Sequence, residues 1–258
     1  MSSRIASIAY NTYREAVRDR VLYNLVVFAL LLVTAALLVG QISIGIERVV
    51  MVNLGLTAIT FFGVAIAIFI GIGLVSKEIE KKTLYTVLAR PVRRWEFILG
   101  KFLGLVGTLA VNTLFMALGF FAALFFLVRD FERSDVSLFA ALYFIVLQLV
   151  IVTAVALLFS SFSSPLLSAV LSLSLFVIGN FAQDLRAFAS LMTGVSRWLA
   201  LAVAYVLPNL SSFNVVSSVA HSQPVPVALV LWNTAYALLY AGAAVAGAVL
   251  VFDRRNLK

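Results

Sequence analysis

Residues 49–75 read VVMVNLGLTAITFFGVAIAIFIGIGLV, which is 27 consecutive positions without Asp, Glu, Lys or Arg. An α-helix rises about 1.5 Å per residue, so roughly 20 such residues cross the hydrocarbon core of a bilayer. This run therefore predicts a transmembrane helix. Of the 258 residues, 63% are hydrophobic and 12% are charged, whereas soluble domains have about 25% charged residues. The composition excludes a soluble globular protein.

Six apolar runs of this kind occur along the chain. The fifth is short and contains several serines, and we retain it because without it the two chain ends would lie on opposite sides of the membrane. The predicted spans are residues 21–40, 49–75, 102–128, 136–159, 166–182 and 227–252. We therefore predict an all-α integral membrane protein with six transmembrane helices, in which residues 1–258 form a single transmembrane domain.

The distribution of basic residues predicts the orientation of these spans. With the N-terminus inside, fourteen of the nineteen Lys and Arg residues and six of the eleven Asp and Glu residues fall on the inner side. The inner side then has a net charge of +8 and the outer side has none. Because basic residues are retained in the cytoplasm, we expect both chain ends to be cytoplasmic. The long segment 183–226 lies on the outer face, where its apolar stretches predict short helices in or near the outer leaflet.

Residues 1–20 precede the first span and have amphipathic helical spacing. The apolar stripe consists of Ile5, Ile8, Ala9, Thr12 and Ala16. Such a stripe is typical of an interfacial helix that lies along the membrane surface. A solvated helical tail is the alternative, because amphipathicity alone does not prove membrane contact.

The connector between the second and third spans, residues 76–101, reads SKEIEKKTLYTVLARPVRRWEFILGK. Apolar residues recur at helical spacing up to Pro91, which ends a helix because the residue before a proline avoids the helical conformation. A second helix follows and continues into the third span. One face of this helix carries Gly100, Gly104 and Gly107, which allow another helix to approach closely.

This connector resembles that of permease subunits of type-2 ABC exporters, particularly the branch with the nitrous-oxide-reductase maturation permease. The shared pattern is a pair of acidic residues with Thr-Leu, then Leu-x-x-Pro-Val-x-Arg, then Gly-Lys. It falls on Glu78, Glu80, Thr83, Leu84, Leu88, Pro91, Val92, Arg94, Gly100 and Lys101. The sequence LPNL at 207–210, followed by Phe213, is similar as well.

The resemblance implies that the connector is a coupling helix that docks on a separate ATP-binding subunit, present in two copies. The implied interface consists of Glu78, Glu80, Lys82, Thr83, Leu84, Leu88, Arg90, Pro91, Arg93 and Arg94. A second, identical permease chain would complete the transport path, and ATP and Mg would bind to the partner while this chain holds no cofactor. The resemblance also implies an exporter in the cell inner membrane, with an outer-face accessory protein as a further candidate partner. From the residues alone, the charged groups could instead anchor the connector at the lipid headgroups.

Polar side chains inside the spans are amides and hydroxyls. Candidates for the translocation path or for a contact between two chains are Asn53, Ser164, Ser168, Ser172 and Asn180. Hydrogen bonding between helices is the alternative role, and for any single residue we favour it.

The sequence contains no phosphate-binding loop of the form G-x-x-x-x-G-K-[ST], and no Asp, Glu, Lys, Arg or His lies within the predicted spans. The energy for transport is therefore expected to come from a partner. With no Cys and a single His, the chain offers no zinc or thiol site and no catalytic residue that we would assign. Two other functions remain open: a non-transporting transducer that passes ATP-driven movement to an outer-face partner, and an intramembrane enzyme around His221.

Overall fold

The computed structural model describes residues 2–43, 45–80, 93–128 and 136–254, and within these ranges it contains helices and no strand. The long and short helices are α1 Ser2–Val17, α2 Arg20–Ile42, α3 Glu47–Glu80, α4 Arg94–Val128, α5 Val136–Ser160, α6 Pro165–Asn180, α7 Ala182–Leu191, α8 Gly194–Val206, α9 Val216–Ala220 and α10 Val227–Arg254. A short 3-10 helix, Ser211–Phe213, lies between α8 and α9.

Five of these helices, α2, α3, α4, α5 and α10, are long and apolar enough to cross a membrane. They coincide with five of the six predicted spans. The remaining predicted span, 166–182, corresponds to α6, which ends at Asn180 and bends by 60° into α7. A second bent pair joins α8 to Ser211–Ala220 at 53°. The described chain is therefore an all-α membrane protein with five to seven candidate spans.

The helices α3 and α4 extend beyond the predicted spans on both sides of the connector. The second span and residues 76–80 of the connector form one uninterrupted helix that ends at Glu80. On the other side, α4 begins at Arg94 and continues without a break to Val128. Lys, Glu, Arg and Leu favour helices about as strongly as most apolar residues do, so the change from apolar to charged sequence does not end a helix. The predicted direct continuation of the connector into the third span is confirmed.

The helix α5 is the centre of the bundle, because 72% of its span is buried within the protein, against 22% for α2. It packs on α3, α4, α6 and α10. Most buried side chains form one large apolar cluster, and a second cluster joins the start of α4 to α5 and the end of α10. Since lipid is as apolar as these side chains, close fit between helices holds the bundle together.

The two ends of the described chain meet at one end of the bundle. Helix α1 packs on the first turns of α4, and the last turn of α10 contacts Arg94 of the same helix. We call this region, made of α1, residues 93–101 and the last turn of α10, the connector end. Residues 206–213 lie at the opposite end of the bundle, and we call them the cap segment.

Candidate functional site

The predicted coupling residues fall around the gap between α3 and α4. Glu78 and Glu80 belong to the last turns of α3, and Arg93 and Arg94 stand at the start of α4. The other predicted members, Lys82, Thr83, Leu84, Leu88, Arg90 and Pro91, lie outside the described residues, as does the predicted helix end at Pro91.

The first turn of α4 is capped by its own glutamate. The Oε2 atom of Glu96 accepts a hydrogen bond from the backbone N–H of Arg93 at 3.1 Å. This contact is one half of a capping box, in which the third helical residue satisfies the donor that precedes the helix. Glu96 is buried, with 1% of its surface exposed. A negative charge at a helix N-terminus also interacts favourably with the helix dipole. The start of α4 is therefore fixed locally.

Arg94 links the start of α4 to the end of α10. Its Nη1 donates hydrogen bonds to the carbonyl oxygens of Phe252, at 3.0 Å, and Asp253, at 2.8 Å. These carbonyls lie in the last turn of α10, where a helix leaves its acceptors without partners of its own. The ring of Phe97 stacks on Phe252 with 6.1 Å between centroids and 18° between planes. The two helix ends are thus held by a charge-assisted cap and an aromatic pair.

The N-terminal helix α1 packs on the glycine face of α4. A Cβ added at Gly104 would lie 2.5 Å from the carbonyl oxygen of Ala9 and 2.6 Å from Cβ of Thr12. A Cβ at Gly100 would lie 2.6 Å from Cγ2 of Ile8. The expected close approach is confirmed at these two glycines, and its partner is α1. At Gly107 an added Cβ would meet nothing within 4 Å, so this glycine takes no part in the contact.

A buried lysine reinforces the contact between α1 and α4. The Nζ atom of Lys101 lies 3.8 Å from Oε2 of Glu15, and the lysine side chain is 4% exposed. The same ammonium lies 5.6 Å from the centre of the Phe97 ring. Burial of a lysine is costly unless its charge has partners, and here a carboxylate and an aromatic face supply them.

Most of the predicted path residues bond within their own helix. Asn53 donates to the carbonyl of Val49 at 2.9 Å, and Ser168 donates to the carbonyl of Ser164 at 2.9 Å. The side chain of Ser164 caps the start of α6. Ser172 is buried, and its hydroxyl has no hydrogen-bond partner among the described residues. These hydrogen bonds run within one helix, whereas the alternative to the path assignment expected them between helices.

Asn180 is the predicted path residue that reaches a cavity. A cavity of about 320 Å³ lies between α3, α5 and α6, and Phe213 of the cap segment forms part of its wall. Gln148 on α5 donates from Nε2 to Oδ1 of Asn180 at 3.4 Å, and both residues line the cavity. Thr57 and Thr60 add hydroxyl groups, and phenylalanine rings provide much of the apolar wall. The lining residues in the described part of the chain carry no ionisable group, so the cavity suits a neutral or weakly polar molecule.

Three side chains of α10 hold the cap segment by its backbone. Asn233 donates to the carbonyl of Ser212 at 2.8 Å, and Tyr236 accepts from the N–H of Asn209 at 2.9 Å. Tyr240 donates to the carbonyl of Val206 at 3.2 Å. From α6, the carbonyl of Gly179 accepts the N–H of Leu210 at 3.0 Å. The cap segment is therefore anchored to α10 and to the helix that ends beside the cavity.

His221, the residue of the alternative enzyme hypothesis, is exposed at the end of α9. Its Nδ1 lies 2.8 Å from the carbonyl oxygen of Ser217. This partner is a backbone oxygen and supplies no nucleophile.

Sequence reasoning did not identify the role of Arg94 at α10, of Lys101 at Glu15, or of Tyr236 at the cap segment. Arg94 and Lys101 belong to the sequence motif shared with the ABC exporter permeases. The motif identifies their positions but does not predict which residues they contact. Arg94 and Phe252 are 158 residues apart, and no periodicity connects residues at such a distance. Tyr236 could be predicted only to lie in a packed or interfacial position.

A comparison with known protein families identifies the family of this chain. The family profile described as "ABC-2 family transporter protein" matches residues 6–257, almost the whole chain. A search of curated protein sequences gave no match. The match includes every helix that is long enough to span a membrane, together with the connector and the cap segment. The chain therefore belongs to the ABC-2 family of transporter membrane proteins, whose permeases associate with an ATP-binding subunit.

Proposed function

We propose that this chain is the permease subunit of an ATP-driven exporter that works as a dimer of identical chains with two ATP-binding subunits. The family match over residues 6–257 carries the proposal. Binding and hydrolysis of ATP in the partner would move the connector and switch the path between inward and outward access. The resemblance of the connector to that of the nitrous-oxide-reductase maturation permease favours this branch of the family.

In the proposed topology the protein crosses the cell inner membrane six times, and both termini lie in the cytoplasm. The meeting of α1, the start of α4 and the end of α10 at one end of the bundle supports an even number of crossings. Since five long helices cross, α6 is the sixth, although at 16 residues it covers only about 24 Å before its bend. Helix α1 then lies at the cytoplasmic interface, with its apolar stripe on α4 and its charged side chains outward.

In this arrangement the ATP-binding subunit docks at the connector end. We assign the docking surface to Glu78, Glu80, Lys82, Thr83, Leu84, Leu88, Arg90, Pro91 and Arg93. Arg94, the remaining residue of the predicted interface, instead holds the last turn of α10. Opposite charges on this surface suit a specific protein interface. The unbroken helices on both sides of the connector support the assignment, because a push on the connector acts directly on two spans.

We assign the cavity beside Asn180 to the translocation path. Its amide and hydroxyl groups offer hydrogen bonds, and its phenylalanine rings offer apolar contact. The described lining provides no acid or base for proton coupling, in agreement with energy supplied by ATP in the partner.

Reversal of charge at Glu78 and Glu80 tests the docking surface. We expect the Glu78→Lys, Glu80→Lys double variant to insert in the membrane normally but to lose its ATP-binding subunit. Juxtaposed like charges cost several kcal/mol, so affinity should fall by roughly 100-fold. The measurement is the amount of ATP-binding subunit that co-purifies with the tagged permease.

The control for this variant is Asp184→Lys, which reverses an exposed charge on α7, away from the connector end. It should retain the partner. A double variant that keeps a stoichiometric partner and full ATPase activity would show that the docking surface lies elsewhere. If the wild-type complex hydrolyses ATP but moves no solute into liposomes, the chain is instead a transducer that acts on an outer-face partner.

A further inference from the structure

The last helix, α10, is fastened to other parts of the protein at both of its ends. At the connector end, Arg94 of α4 donates to the carbonyls of Phe252 and Asp253. At the opposite end, Asn233 and Tyr236 bond to the backbone of the cap segment. Asn233 and Phe252 are 19 residues apart, so about 29 Å of helix lies between the two attachments.

The attachment at the connector end is tight. Around the stacked rings of Phe97 and Phe252, α10 presents buried Ala241, Ala244 and Ala248 toward its neighbours. Small side chains allow helix backbones to approach closely in a membrane. Arginine at a helix C-terminus also interacts favourably with the helix dipole. A displacement of the first turns of α4 is therefore expected to displace the end of α10 with them.

The attachment at the opposite end reaches the cavity. Asn233, Tyr236 and Tyr240 lie three and four residues apart and so share one face of α10. All three bond to backbone atoms of residues 206–212. The next residue, Phe213, lines the cavity, and its ring lies 6.2 Å from that of Tyr236. A shift of α10 is therefore expected to move a wall of the cavity.

We propose that α10 transmits movement from the connector end to the cap segment, with Arg94 as the positioning residue at one end and Tyr236 at the other. This inference rests on the proposed function, because ATP in the partner is the source of the movement. In the proposed movement, the start of α4 and the end of α10 move as one body. Through its hydrogen bonds, α10 then moves the cap segment, and this movement changes access to the cavity from the end of the bundle opposite the connector end.

The test uses the complete complex with its ATP-binding subunit and two sets of introduced cysteines, since the chain has none of its own. Spin labels at Leu103→Cys and Leu250→Cys, both at exposed positions on α4 and α10, report the distance between these helices. Asn214→Cys, exposed and on the cavity wall, reports access through its rate of modification by a membrane-impermeant maleimide. Both signals are recorded without nucleotide and with ATP trapped in the complex.

In the wild-type background we expect ATP to change the modification rate at position 214 by several-fold while the distance between α4 and α10 stays constant. Arg94→Ala should abolish the response at position 214 and broaden the distance distribution. Arg94→Lys should recover part of both signals, because it keeps a cation at the end of α10. Tyr236→Phe keeps the ring but removes the bond to Asn209, and it should reduce the response at position 214 without affecting the distance. The Arg94→Ala, Tyr236→Phe double variant should be no worse than Arg94→Ala.

Arg18→Ala is the control, because it removes an exposed positive charge just after the end of α1. It should behave as the wild type. An Arg94→Ala complex that retains the response at position 214 would overturn the inference. Loss of the ATP-binding subunit from that variant would also overturn it, since Arg94 would then act in docking. If the wild-type complex itself shows no effect of ATP, the proposed function fails before any variant is compared, and the inference fails with it.

Discussion

Replacing Gly104 with alanine is expected to separate α1 from α4 and to lower the thermal stability of the protein in detergent. The new Cβ would lie 2.5 Å from the carbonyl oxygen of Ala9 and 2.6 Å from Cβ of Thr12, and neither atom is the flexible end of a side chain. Overpacking of this kind typically costs about 1–3 kcal/mol. The midpoint of thermal unfolding is the first measurement.

Gly107 provides a matched control three residues further along the same helix. A Cβ at Gly107 meets nothing within 4 Å, and alanine favours a helix over glycine by about 1 kcal/mol. Gly107→Ala should therefore leave the unfolding midpoint unchanged or raise it slightly. A second measurement uses Thr12→Cys, since Thr12 is 1% exposed, and a maleimide should modify it quickly only when Gly104→Ala is also present. Equal midpoints for the two alanine variants would contradict the described contact between α1 and α4.

Replacing Lys101 with glutamate should destabilise the same contact by a different mechanism. The variant places a second carboxylate beside Glu15, in a position where the lysine side chain is 4% exposed. A buried charge without its partner typically costs about 3–5 kcal/mol. We expect a large loss of thermal stability in detergent and a reduced yield of folded permease from the membrane.

A charge swap separates the ion pair from the general effect of a buried acid. The Glu15→Lys, Lys101→Glu double variant restores opposite charges across the two helices, so its unfolding midpoint should recover in part toward the wild-type value. Glu15→Lys alone should also lower the midpoint, because it takes the carboxylate away from the buried ammonium of Lys101 and adds a second positive charge beside it. Its effect should be smaller than that of Lys101→Glu, because position 15 is 52% exposed and the new ammonium has access to water. A double variant that is no more stable than Lys101→Glu would show that Glu15 is not the partner that matters.

Hydropathy was sufficient to predict the long spans, because a bilayer requires about 20 apolar residues whatever lies around them. Five predicted spans correspond to long helices, and continuity from the connector into α4 was predicted from its glycine and apolar faces. Residues 166–182 were harder. Their helix stops at Asn180 because the chain turns there to meet the cap segment, where Leu210 bonds to Gly179. That bend depends on a contact distant in sequence.

The N-terminal helix shows how far an amphipathic pattern can be interpreted. Its apolar stripe was predicted from spacing, and Thr12 and Ala16 on that stripe are buried. The stripe packs on the glycine face of α4. Periodicity identifies the apolar side of a helix but does not tell whether lipid or another helix covers it. The expected position at the membrane interface stays a prediction.

Polar residues within the spans were the least predictable part of the candidate site. A serine or asparagine in a helix can bond to the carbonyl one turn back, and Ser168 and Asn53 do so. Asn180 also donates to the carbonyl of Phe176 one turn back, and in addition it accepts a hydrogen bond from Gln148 of another helix beside the cavity. No local signal in the sequence separates these cases, since the difference lies in which neighbouring helix is present.

The central claim, that this permease works with an ATP-driven partner, is tested most directly by purifying the tagged protein from its native host in a gentle detergent. The copurifying chains are identified and the eluate is assayed for ATPase activity. We predict a stoichiometric ATP-binding subunit and measurable ATPase activity. The account would be contradicted if the protein purified without a partner and without ATPase activity under conditions that preserve other membrane complexes.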